Sequence, residues 1–198
     1  MKKLTIALLT AIACVAAQAA DDKVAQVMKS SFKERGQAKL DRLEQDETMK
    51  LCTQYGGKPV PKDVAKKIET INQKLIKLPA DGVFLGDWKE GEKIAQSGVG
   101  KQFSDNPANP NGGNCYACHQ LSPQELSFGT IGPSLRNYGK TRGNTKEAQQ
   151  YTYGKIYNSE AYSACTNMPR FGHNGVLTEK QIKDVTALLL DPESPVNK

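Results

Sequence analysis

After its first twenty residues this 198-residue chain has no apolar run long enough to cross a bilayer, so nothing there reads as a membrane span. It has no internal repeat and no sustained strand-type alternation, which excludes a solenoid and argues against a sheet-built core. Aromatic residues make up only 7%, with a single tryptophan, and no Lys/Arg cluster is interleaved with them. A nucleic-acid surface therefore has no support. Nor is there a large excess of one charge: the formal net charge is +6, and +4 without Lys2 and Lys3. That modest excess suits docking against an acidic partner without requiring one.

What is present is concentrated in one hexapeptide, Asn114-Cys115-Tyr116-Ala117-Cys118-His119. Cys-x-x-Cys-His is the attachment pattern of a c-type haem. Two thiols three positions apart can each form a thioether to a haem vinyl group, and the adjacent imidazole then reaches the iron. Cys115 and Cys118 are thus the expected tethers of one covalently attached haem c, and His119 is the expected proximal ligand. Two rivals share parts of the pattern. Cys-x-x-Cys alone suits a thioredoxin-like pair, and Cys115, Cys118, Cys165 and His173 could form a Cys₃His zinc site.

The start of the chain has the order of a secretory signal peptide. Lys2 and Lys3 precede an apolar stretch from Leu4 to Ala17, and Ala17-Gln18-Ala19 fits the small-x-small cleavage pattern. Residues 1–19 are therefore expected to be removed and the remainder to be periplasmic. A lipoprotein-type cleavage before Cys14 is the alternative, disfavoured by the lack of a leucine just upstream. Without the signal segment, four of the five cysteines remain, and haem attachment uses two. Cys52 and Cys165 are left as a candidate disulfide, in a compartment where disulfides persist. It would close a loop of about 113 residues, for which chain entropy gives on the order of 4–5 kcal/mol as an upper bound. The alternative makes Cys165 a reactive thiol or an iron ligand.

Composition divides the rest. Residues 20–80 form an expected helical extension, rich in charged and amide side chains and poor in aromatics. Val24, Val27, Met28 and Phe32 recur at helical spacing, and Val64, Ile68, Ile71 and Leu75 mark a second helix with Asp63 as its candidate cap. Residues 81–198 form the expected haem domain. Trp88 to Ser97 predicts a helix, residues 120–150 predict loops around the cofactor, and Tyr151 to Ala164 predicts a short helix. Thr178 is a good N-cap for a terminal helix whose Ile182, Val185, Leu188 and Leu189 share one face.

Few side chains could meet a haem iron opposite His119. Met168, followed by Pro169 in a polar, glycine-ended loop, is hard to explain as core filler and is the first candidate. His173 is the alternative and Cys165 the outsider. A ligating histidine donates its other ring N–H to an acceptor that fixes its orientation, and the carbonyl of Pro133 is the candidate acceptor. A simple Gly-Pro turn is the plainer reading of that residue. Arg170 could face an anion or form a surface salt bridge.

Together, Cys-x-x-Cys-His, Gly132-Pro133-x-Leu135, the late Met168-Pro169 and the terminal helix resemble class I cytochromes c across residues 81–191. That resemblance implies an all-α fold: a class I cytochrome c-like haem domain carrying an N-terminal helical extension. A narrower likeness follows. Met168-Pro169-Arg170-Phe171-Gly172-His173, then Leu177 to Val185, then Leu188 to Asn197, is similar to the SoxX family, the monohaem subunits of SoxAX cytochromes. This implies an electron-accepting subunit of a heterodimeric L-cysteine S-thiosulfotransferase. The implied partners are a SoxA-type cytochrome subunit bearing the catalytic cysteine, a SoxYZ-type carrier protein and an acceptor cytochrome c. A freestanding periplasmic class I cytochrome c is the alternative, and a self-sufficient enzyme using Cys165 a third.

Overall fold

The computed structural model describes residues 23–198, so the expected signal peptide and Cys14 lie outside the described residues. Two compact units result, one ending at Glu44 and the other running from Gln45 to Lys198. In the first, residues 23–31 form helix α1 and Leu40–Leu43 a short 3₁₀ turn, with Val24, Val27 and Phe32 largely exposed.

The second unit is built from helices α2 (Glu47–Tyr55), α3 (Lys62–Gln73), α4 (Trp88–Gln96), α5 (Tyr138–Arg142), α6 (Lys146–Tyr157) and α7 (Glu179–Leu190). No strand occurs among the described residues, and the fold is all-α. Residues 45–80 thus belong to the same compact unit as the segment read as the haem domain. α2 is capped by Asp46, which accepts from the Met49 N–H at 2.8 Å, and Gly56 ends it in the left-handed region at φ 50°. α3 starts two residues earlier than expected, with Pro61 at its N-cap, so Asp63 sits in the first turn rather than capping it. A carboxylate there still complements the helix dipole.

The crossing of α4 on α7 organises the core. Ile182, Val185, Leu188 and Leu189 are all buried, as the spacing predicts, against Ala95, Phe84 and Tyr153. The helices approach closely because Gly86 and Gly91 present no side chain to Asp184 and Leu188. Asp184 is itself buried, yet its carboxylate accepts from the Asp87 N–H at 2.9 Å and from Lys180 at 2.7 Å. A buried charge so partnered escapes most of the penalty of desolvation. α7 begins with a complete capping box: Thr178 accepts from Gln181 N, and the Gln181 side chain accepts from Thr178 N. Thr178→Ala is expected to lower stability by about 1 kcal/mol, read from denaturant unfolding of the holoprotein.

Residues 120–150 are less irregular than expected, since they hold α5 and the first turn of α6. α6 buries Thr152, Tyr153, Gly154, Ile156 and Tyr157, too much of its circumference to leave an apolar stripe in the sequence. α5 depends on the distant C-terminus. The Asn197 side chain accepts from Gly139 and Lys140 N–H and donates to Leu189 and Asp191 carbonyls. The closing Asp191–Asn197 run therefore fastens α5, and α5 is one wall of the site.

Candidate functional site

Between α5, α6, α7 and the connecting loops lies a cavity of about 740 Å³. Its wall includes Cys115, Cys118, His119 and Met168, with an apolar lining that includes Leu121, Ile156, Phe171 and Leu189. Cys115–Ala117 form a single 3₁₀ turn entered through Asn114 in the left-handed region at φ 47°. The amides of Cys118 and His119 both donate to the Cys115 carbonyl, at 3.1 and 2.9 Å. This tight turn aims both thiols and the imidazole into one space. Burial pushes the Cys115 thiol up to about 12, with Cys118 and Glu92 adding to the effect, so the sulfur is held neutral. Cys115 and Cys118 are the free cysteines among the described residues.

His119 is fixed from behind. Its Nδ1 lies 2.7 Å from the Pro133 carbonyl, and the Gly132 N–H donates to the Cys118 carbonyl at 2.8 Å. A Cβ on Gly132 would fall 2.5 Å from the same Nδ1, so glycine is needed for the loop to pass over the ring. With Nδ1 occupied, Nε2 is the nitrogen left for a metal.

Another part of the wall comes from within residues 162–178, which contain no helix. Met168 is fixed locally: its N–H donates to Thr166 Oγ1 at 3.3 Å, and its carbonyl accepts from the Ser159 hydroxyl. His173, the alternative ligand, does not line the cavity; its Nε2 lies 3.9 Å from Asp46. Burial and then the Arg170 charge lower its pKa. Cys165 reaches the cavity wall but is bonded to Cys52, with S–S at 2.05 Å, so the expected disulfide is formed. No group of three or more His, Cys, Asp or Glu among the described residues could hold a metal, which removes the zinc alternative.

Arg170 is neither a surface residue nor part of the cavity wall. It is 8% exposed, and its Nη2 meets Asp46 Oδ2 at 2.7 Å. Burial works against the Asp46 carboxylate, but the Met49 N–H and Arg170 outweigh it and hold the carboxyl below its usual range. Because the native pKa is lowered, this contribution is full above the ordinary value near ~4 and is lost as pH falls through the native one. The melting difference between wild type and Asp46→Asn should therefore shrink as pH falls from about 6 to about 3.

Two functional candidates were invisible in the sequence. Arg142 and Lys155 are the cationic residues of the cavity wall, which holds no Asp or Glu. Arg142 stacks 5.6 and 5.1 Å from the Tyr138 and Tyr151 ring centres, and Lys155 donates to the Ser159 carbonyl at 3.2 Å while burial lowers its pKa. No motif announces them; only the convergence of α5 and α6 brings them together. An apolar slot with two thiols, an oriented imidazole, a thioether and two cations on a wall without carboxylates fits a haem with its two acidic side groups.

The family model for cytochrome c matches residues 99–191. An uncharacterized lipoprotein of Aquifex aeolicus is 38% identical over 94% of this chain and 93% of its own length. The crystal structure of SoxXA from P. pantotrophus is 27% identical, covers 54% of this chain and 82% of its own, and superimposes with a TM-score of 0.39.

Proposed function

This chain carries a cytochrome c domain with one covalently attached haem c, and from that premise we propose that it is the electron-relaying subunit of a SoxAX-type thiosulfate-oxidising complex. The haem supplies one-electron chemistry when bound. Cys115 and Cys118 would tether it, His119 and Met168 would ligate its iron, and Arg142 with Lys155 would face its acidic groups. Pro133 would keep the His119 ring in the tautomer that leaves Nε2 free. Thioether ligation favours the reduced iron, which suits a site that receives electrons.

The observation that carries the relay reading is the Cys52–Cys165 bond. A subunit doing its own sulfur chemistry would need Cys165 as a thiolate beside the haem, and that sulfur is already committed. The sulfur-specific part rests on the likeness of Met168–His173 and of the Leu177–Asn197 run to SoxX. On this reading the catalytic cysteine sits on a SoxA-type partner, thiosulfate is joined to the carrier cysteine of a SoxYZ-type protein, and this chain passes electrons to an acceptor cytochrome c.

Gentle purification from the periplasmic side of cells growing on thiosulfate tests this. A stoichiometric second haem-c polypeptide is expected, and the reconstituted pair should reduce a cytochrome c only with both thiosulfate and carrier present. A monomer that exchanges electrons with general acceptors would leave a freestanding class I cytochrome c. Gly132→Ala is a sharper probe of His119. Disturbed supporting contacts weaken a metal ligand about 10–100-fold, so the pH at which acid displaces His119 should rise by about one unit or more.

The Aquifex relative named a lipoprotein favours a second reading of the N-terminus, with cleavage before Cys14 and a lipid on its sulfur. Intact mass of the native chain separates the two. A chain starting at Ala20 supports signal removal, and a lipidated Cys14 supports anchoring on the periplasmic side. No helix among the described residues is long and apolar enough to cross a membrane.

A further inference from the structure

The segment from Asp46 to Asn72 contributes nothing to the cavity wall, yet it grips the loop that presents Met168 at two points. Cys165, three residues before Met168, is bonded to Cys52 on α2. Arg170, two residues after it, is buried against Asp46, the cap of the same helix, at 2.7 Å. Cys165 is held in the left-handed region at φ 56°, unfavourable for a residue with a Cβ, and its N–H donates to buried Glu160 at 2.6 Å. Such a conformation persists only where the surroundings over-determine it. α2 is anchored in turn. The Asn72 amide on α3 donates to Thr48 on α2 at 2.8 Å, and Asn158 donates to Asn72 at 2.9 Å, all three being buried. Gln73 adds a bond to the Ala161 carbonyl at 2.7 Å.

We propose that α2, through Cys52 and Asp46, is an external brace that positions Met168 on the haem iron, so that ligation at this site is set by a helix that never touches the haem. This rests on the reading of Met168 as the axial ligand. The physical need is plain. Residues 162–178 form no helix, and none of their backbone bonds closes a turn across Met168, and an iron–thioether bond is weak, so its occupancy depends on the effective concentration at which the loop holds the sulfur. Tied on both sides, the loop keeps that concentration high and excludes competitors. Untied at Cys165, it samples more conformations, and a small nitrogen ligand can take the position. Cys52, Asp46 and Arg170 are therefore positioning residues, acting through Met168.

The test uses the ferric holoprotein and two variants, Cys52→Ala and Asp46→Asn, the second keeping the disulfide should the first fail to fold. Imidazole affinity and the methionine–iron charge-transfer band are followed against temperature, beside helix content by circular dichroism. The brace predicts that imidazole binds at least about tenfold tighter in either folded variant, and that the band is lost below the temperature at which helices melt. Asp46→Glu should restore both. Unchanged imidazole affinity, with the band lost only at the global melt, would overturn the brace and leave α2 a merely stabilising element. Met168→Ala is the control. If the wild type lacks the band and this variant does not change the spectrum, the ligand reading itself has failed, and the brace with it.

Discussion

Replacing Cys115 and Cys118 together with alanine is expected to give a chain from which acid–organic extraction removes all haem, whereas wild type retains it. The structural consequence should be as large as the chemical one. The cavity wall includes Leu121, Ile156, Phe171 and Leu189 of the apolar core, so removing the haem would leave core surface facing water. The haem is thus part of the core rather than a guest in it. The double variant should keep part of its helix signal but lose fixed aromatic circular dichroism and cooperative melting. A variant chain that melts as cooperatively as the holoprotein would show that the cavity walls support themselves.

A second large effect is expected at Gly91, where two forces oppose. In an exposed helix, Gly→Ala stabilises by up to about 1 kcal/mol through backbone entropy. At Gly91, a Cβ would fall 2.7 Å from the Asp184 carbonyl carbon and 3.0 Å from Leu188 Cβ, against the backbone of α7. A helix backbone cannot give way as a side-chain tip can, so α4 and α7 must separate, and overpacking of this kind costs about 1–3 kcal/mol, occasionally more. The clash wins: Gly91→Ala should lower stability by about 2 kcal/mol net of the propensity gain. It should also loosen the haem site, because Val185 and Leu189 of α7 form part of the cavity wall. Thermal unfolding followed at once by helix signal and haem absorbance would show both shifts together.

Much of this was legible in the chain. The terminal helix could be read from Thr178 and the spacing of Ile182, Val185, Leu188 and Leu189, because capping and periodicity are local signals. Cys52 and Cys165 could be paired by elimination, although no spacing rule joins residues 113 apart. α5 could not be read, because five residues carry no period and their N-terminal amides are satisfied by Asn197, 58 positions from Gly139. Arg142 and Lys155 were invisible for the same reason: a charged residue in a polar stretch gains its role only when two helices place it against an apolar slot. The buried pairing of Arg170 could not be read, because its partner Asp46 lies in a segment that composition separates from the haem region. The Pro133 carbonyl 2.7 Å from His119 lies where an ordering acceptor is needed, but only the fold gives that distance.

The central claim is that this is a closed, electron-relaying haem with His119 and Met168 on its two faces. The near-infrared magnetic circular dichroism of the oxidised holoprotein addresses it most directly. The account predicts a methionine-to-iron charge-transfer signature that survives His173→Ala, vanishes in Met168→Ala, and is accompanied by no rapid carbon monoxide binding after reduction. A bis-imidazole signature that disappears in His173→Ala, or a high-spin iron open to carbon monoxide, would contradict it.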